Sequence, residues 1–147
     1  MCYNHSVLVR LVTQDKDMIE RAKKAIKESS LDLTLDVSED GAELLLPGNE
    51  LISTIILVDH NLPIVPAEEL VDQLRISGFL APIAMLVDDF YDNASNKIKI
   101  SSIVKGASLC LGRDFDPKEL ASQFKDLLKM VESEKRIFQA QEKKKHK

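Results

Sequence analysis

Short apolar runs alternate with stretches of helical periodicity along this chain. Residues 7–12, Val-Leu-Val-Arg-Leu-Val, predict a first strand, and residues 17–27 follow with Met18, Ala22, Ala25 and Ile26 at helical spacing. Leu31, Leu33, Leu35 and Val37 then alternate with polar residues, the pattern of a strand wet on one face at a sheet edge. Residues 43–46 predict a short helix after Gly41, stopped by Pro47-Gly48. Residues 55–58, Ile-Ile-Leu-Val, form a continuous apolar run that suits a central strand covered on both faces. Pro66 opens a helix that carries Leu70, Val71 and Leu74 and stops at Gly78. Residues 83–87 predict another buried strand, residues 95–105 a helix ended by Gly106, and residues 109–111 a fifth, short strand.

The last helix is the best signalled. Asp116 stands at the N-cap, Pro117 at the first helical position and Glu119 where a capping-box acid belongs. Leu120, Phe124, Leu127, Leu128, Val131, Ile137 and Phe138 recur at helical spacing, with no Gly or Pro after Pro117. A helix from Pro117 towards Gln141 measures roughly 35 Å, too long to lie wholly against one small domain. The expected division is a globular unit over residues 1–131 and a helical extension with a basic tail over residues 132–147.

Strands alternating with helices imply βαβ units, right-handed crossovers and a parallel sheet with helices on both faces. In such sheets functional groups gather at the carboxyl ends of the strands. Those ends carry Thr13-Gln14-Asp15, Asp59-His60-Asn61, Val87-Asp88-Asp89 and Gly112-Arg113-Asp114.

Composition narrows the class. At 147 residues, 44% hydrophobic and 30% charged, the chain has the size and balance of one globular domain. No apolar run approaches the ~18 residues of a membrane span, and the first ten residues do not read as a signal peptide. Two cysteines far apart, Cys2 and Cys110, make neither a disulfide framework nor a zinc pattern, so a cytoplasmic, reducing location is expected. The net charge is −4, and four of the 20 lysines and arginines lie in the last five residues, leaving a more strongly acidic body. That body repels nucleic acid, and Trp is absent, so no direct nucleic-acid partner is expected.

The strand ends carry a resemblance. Ile56-Leu57-Val58-Asp59-His60-Asn61-Leu62-Pro63 resembles the third strand of response-regulator receiver domains of the CheY-like type, in which an apolar strand ends in a phospho-accepting aspartate. Glu39-Asp40-Gly41 looks like the family's turn into its second helix. Gly106-Ala107 and Asp114-Phe115-Asp116-Pro117 are similar to its landmarks around the fifth strand and last helix. The resemblance implies a flavodoxin-like three-layer sandwich: a five-stranded parallel sheet in the order 2-1-3-4-5 with five helices, here with an extended C-terminal helix. It also implies phosphoryl transfer from a histidine kinase to Asp59, assisted by magnesium, an acidic pair, a lysine and a hydroxyl switch.

Most of those positions depart from the family pattern. The acidic pair falls on Thr13 and Gln14, or on Gln14 and Asp15 if the first strand is aligned one residue later. The switch hydroxyl is replaced by Val87, the switch aromatic by Cys110 and the lysine by Arg113. Each lost carboxylate–cation pair, at ~4 Å and an effective dielectric near 20, is worth up to about 4 kcal/mol before desolvation. Magnesium held by Asp15 and Asp59 is therefore a weak expectation. Arg113 keeps a cation able to fork onto a phosphoryl group, whereas Val87 lacks the hydroxyl to read one.

The expectation is an atypical receiver, or pseudo-receiver. It is not an enzyme and needs no resident cofactor. It signals by protein–protein contact with a histidine kinase or a downstream effector. It could pair with itself through the fourth-helix and fifth-helix face or the C-terminal helix. The alternative is a working phosphotransfer receiver phosphorylated on Asp59. Plainer readings stand beside these: Asp88-Asp89 as a solvated loop start, His60 as a surface residue, Cys110 as a small buried hydrophobe.

Overall fold

A computed structural model describes residues 7–46 and 53–145, and describes side chains as far as residue 133. Five strands, β1 (Val7–Val12), β2 (Leu33–Ser38), β3 (Thr54–Asp59), β4 (Ile83–Val87) and β5 (Leu109–Gly112), form one sheet in the order β2-β1-β3-β4-β5. Every neighbouring pair is parallel, with Val9 level with Ile55, Val58 with Met85, and Leu86 with Leu111. Among the described residues the α-helices are α1 (Lys16–Ser29), α2 (Ala67–Ile76), α3 (Asn96–Lys105) and α4 (Pro117–Lys145).

The pattern of side chains explains the layers. Every residue of β3 and β4 is buried, as central strands covered on both faces require. β2 alternates and sits at one edge; β5 is half-buried throughout and forms the other. Val9 and Leu11 of β1, Ile55 and Leu57 of β3, and Ala84 and Leu86 of β4 pack against α1 and α4, where Met18, Ala22, Phe124 and Leu127 have no exposed surface. Ile56, Val58, Ile83 and Met85 turn the other way and meet α2 through Leu70, Val71 and Leu74. The period of two along each strand thus divides the core into two layers.

Four α-helices stand among the described residues where five were expected. Residues 43–46 were read as a short helix, but the chain makes one 3₁₀ turn over Ala42–Leu45. Two local constraints limit it. Gly41 enters at φ 76°, with a Cβ there only 2.6 Å from Leu70 Cδ2, so only glycine suits the position. Leu46 precedes Pro47 and is extended at φ −73°, ψ 146°, because proline keeps its neighbour out of the helical region. A second 3₁₀ turn, Asn93–Ser95, precedes α3, which starts at Asn96 instead of 95.

α4 runs unbroken for 29 residues, beyond the expected end near residue 141, so it is about 43 Å long at 1.5 Å per residue. Its N-terminal part lies along α1, and Leu120, Phe124, Leu127 and Val131 bury its inner stripe. The helix continues through the expected boundary at residue 131. Ile137 and Phe138, singled out above, lie outside the described side chains.

Candidate functional site

The carboxyl ends of β1, β3, β4 and β5 converge on Asp59, the last residue of β3 and only 2% exposed. A buried carboxylate is costly unless its oxygens are matched by donors. Here four bonds do this. Oδ1 accepts from Arg113 Nε at 2.6 Å and from the backbone N–H of Asn61 at 2.9 Å. Oδ2 accepts from Thr13 Oγ1 at 2.7 Å and from Arg113 Nη2 at 3.3 Å. A carboxylate has about four lone-pair sites, and these bonds use them.

Arg113 is the centre of the arrangement. It follows β5, and its backbone N–H donates to Val87 O at 2.9 Å, which anchors it beside the end of β4. Besides gripping Asp59, its Nη2 lies 3.2 Å from Asp15 Oδ2 and its Nη1 3.1 Å from Asp88 Oδ1. One guanidinium therefore bridges carboxylates from three strand ends. Its bonds to Asp59, above all, hold its pKa well above the usual arginine value, against the opposing effect of burial. Asp88 is completed by Asn61 Nδ2 at 2.6 Å, and these hydrogen bonds from Asn61 and Arg113 lower its pKa despite some desolvation.

Strand alternation decides which residues after β1 take part. Thr13 is fully buried and faces Asp59, Gln14 is exposed, and Asp15 turns back towards the site. Asp15 also caps α1: its Oδ1 accepts from the N–H of Asp17 at 3.0 Å and of Met18 at 3.3 Å. Thr13 Oγ1 accepts from the N–H of Asp15 at 3.0 Å, so the two residues form one hydrogen-bonded turn. The residues that reach the site are thus Thr13 and Asp15, with Gln14 pointing away.

The remaining sequence candidates lie close by. Val87 is buried against Ile83 and Met85 in the α2 layer. Cys110 is half-buried, with Sγ 3.7 Å from Lys99 O, and burial raises its thiol pKa. His60 does not face Asp59; its Nε2 lies 3.2 Å from Glu68 Oε2, and Glu68 also accepts from Ser101 Oγ on α3. Desolvation of Glu68 is outweighed by these bonds, which lower its pKa.

Asp88 and Asn61 are the site residues the sequence did not single out for this role. In the sequence Asp88 reads as a solvated loop start, and nothing in its spacing announces a partner just beyond β5. The available signal was positional: both residues follow strands whose ends must meet.

The magnesium that the receiver resemblance implies does not fit these residues. Asp59 has no spare oxygen site, Asp15 and Asp88 are each bonded to Arg113, and the cation at the centre is already present as a guanidinium. Among the described residues no group of three His, Cys, Asp or Glu side chains is placed to hold a metal ion.

A five-stranded parallel sheet in this order, with its polar cluster at the strand ends, defines the flavodoxin-like class that includes receiver domains. Solved receiver structures share this fold. A signal receiver domain of an HD domain-containing protein from Pseudomonas fluorescens superposes with a TM-score of 0.75 at 17% identity, covering 92% of this chain and 96% of that one. The chemotaxis protein CheY4 of Vibrio cholerae gives 0.66 at 18% identity, over 83% and 98%. The receiver domain of the TMAO respiratory system response regulator TorR gives 0.69 at 21% identity, over 84% and 98%. No protein-family model matches the sequence, and no curated protein matches it.

Proposed function

We infer that this chain is an atypical receiver: a signalling module that works by protein–protein contact, with phosphorylation at Asp59 impaired. The observation that carries the reading is the state of Asp59. An acceptor carboxylate must offer an oxygen lone pair to phosphorus, and both Asp59 oxygens are engaged by Arg113, Thr13 and Asn61. The phosphoryl-reading apparatus is reduced as well. Val87 offers methyl groups in place of a hydroxyl, and Cys110 is too small to swing as an aromatic ring does.

The contact surface in this reading is formed by α3, β5 and α4. Ile100, Ile103 and Val104 make an exposed apolar stripe on α3 at i, i+3, i+4 spacing, and Met130 is exposed on α4. Beside β5, between Phe90 and the first turns of α4, lies a groove of about 610 Å³ that also includes Leu111 and Phe115. Partners of this proposal are a histidine kinase, a downstream effector or a second copy, in a reducing cytoplasm.

The test is direct. The chain is incubated with acetyl phosphate and magnesium, and its intact mass is measured. Unmodified protein is the expected result. A phosphoryl adduct that disappears in Asp59→Asn would overturn the impaired state and establish a working phosphotransfer receiver.

A further inference from the structure

We propose that Arg113 is the resident cation of this pocket, a guanidinium built into the chain where Asp15, Asp59 and Asp88 would otherwise confront one another. This deepens the reading above and rests on it, because it says what occupies the acceptor site and how the strand ends are held.

Three carboxylates meet within reach of one centre. Unneutralised, their mutual repulsion at the mouth of a buried pocket would push the strand ends apart. A divalent ion is one solution, using oxygen ligands in an octahedron. Arg113 supplies another. Nε and Nη2 take both oxygens of Asp59, while Nη2 and Nη1 extend to Asp15 and Asp88. The planar fork suits several carboxylates at once, which a lysine ammonium does not reproduce. The cation is covalently tethered to β5, so it cannot be chelated or diluted away. The pocket therefore holds a fixed countercharge without metal, a single positive charge shared among three carboxylates.

The inference has a converse. Replacing Arg113 by a neutral residue removes its bonds to four carboxylate oxygens, two on Asp59 and one each on Asp15 and Asp88. Their negative charge is left without its countercharge, so a divalent cation is drawn to the strand ends. Mn²⁺ is the probe, read by paramagnetic broadening of backbone amide signals in the full-length chain. Wild type is expected to show no localised broadening at residues 13–15, 59–61 and 88. Arg113→Gln and Arg113→Ala are expected to acquire it, with Mn²⁺ affinity raised roughly tenfold or more, since a unit positive charge a few ångströms from the ion is gone. Adding Asp59→Asn should abolish the gain.

Localised broadening in wild type overturns the proposal. So does a folded Arg113→Gln chain that gains none. Wild type alone also decides the matter if both variants unfold: its urea midpoint should be the same with EDTA and with excess Mg²⁺, and a magnesium-dependent rise refutes a resident guanidinium. The two readings fail separately. A phosphoryl adduct on wild-type Asp59 defeats the impaired acceptor, whereas Mn²⁺ broadening in wild type defeats the resident cation.

Discussion

Arg113 Nε lies 2.6 Å from Asp59 Oδ1, so a cation at the end of β5 is bonded to a carboxylate at the end of β3, across the intervening β4. The acid is almost wholly buried and the base one-fifth exposed. Removing one partner of such a pair strands a buried charge. Arg113→Met should cost about 3 kcal/mol, at the lower end of the range for broken buried pairs because Arg113 keeps some water. The double variant Asp59→Asn/Arg113→Met should be less destabilised than the sum of the single variants, with a coupling of about 1–3 kcal/mol. Urea unfolding of all four proteins measures it. Additive behaviour would show that the pair contributes no coupling.

Thr13 is the second test of the site. Thr13→Val keeps shape but removes a donor to Asp59 and an acceptor for the N–H of Asp15. A loss of about 1.5–3 kcal/mol is expected, the usual range for a hydrogen bond to a charged group. Chemical denaturation checks it, and an unchanged midpoint would contradict this account of Asp59.

Phe124 tests the packing of α4. Its ring is fully buried in the layer between α1 and the sheet. Phe124→Ala should cost about 3–5 kcal/mol from lost burial and the cavity left behind. Calorimetry reads this as a lowered Tm.

Acid sensitivity follows from two lowered carboxyl pKa values. Glu68 and Asp88 sit below their ordinary values of 4.5 and 3.8 in the folded chain. A depressed folded pKa gives stability that is fully present above the unfolded value and lost as pH falls through the folded one. Stability should therefore decline from about pH 5 downwards, and Glu68→Gln and Asp88→Asn should each flatten part of that decline. Asp88 is more than half exposed, so its share should shrink in high salt, whereas that of Glu68 should persist. Urea midpoints between pH 6 and 3, at two salt concentrations, provide the measurement.

Self-association is expected to depend on the distal helix. Deleting residues 132–147 leaves Val131 and the inner stripe of α4 in place, so the body should remain folded. Light scattering should then show a monomer if the full chain is larger. An oligomer that survives truncation would move the contact to the α3–β5–α4 face.

Much of the fold was legible because burial leaves a mark on sequence. Residues 55–58 and 83–87 are uninterrupted apolar runs, and they became the two fully buried strands. Leu33, Leu35 and Val37 alternate, and they lie on an edge. The helix expected at residues 43–46 shows the limit: the five residues between Gly41 and Pro47 carry apolar spacing but no room for α-helical bonds, and a 3₁₀ turn forms over Ala42–Leu45 instead. At the site, Asp59 and Arg113 could be placed by resemblance, yet their mutual bond could not. Residues 54 positions apart meet only through strand register, and no local pattern says that a guanidinium will turn inward to a carboxylate and not outward to solvent. The same is true of Asp88, whose acidity looks like ordinary surface until Arg113 is set beside it.

The unbroken course of α4 has a mechanical consequence. Its root is packed beside α1 on one face of the sheet, while its final 14 residues carry the backbone on as a rod of roughly 21 Å. Each degree of tilt where Val131 is seated would sweep the tip at Lys145 through roughly 0.4 Å. Whatever grips that tip thus holds a pointer whose bearing is set by how Phe124 and Leu127 are lodged beneath it.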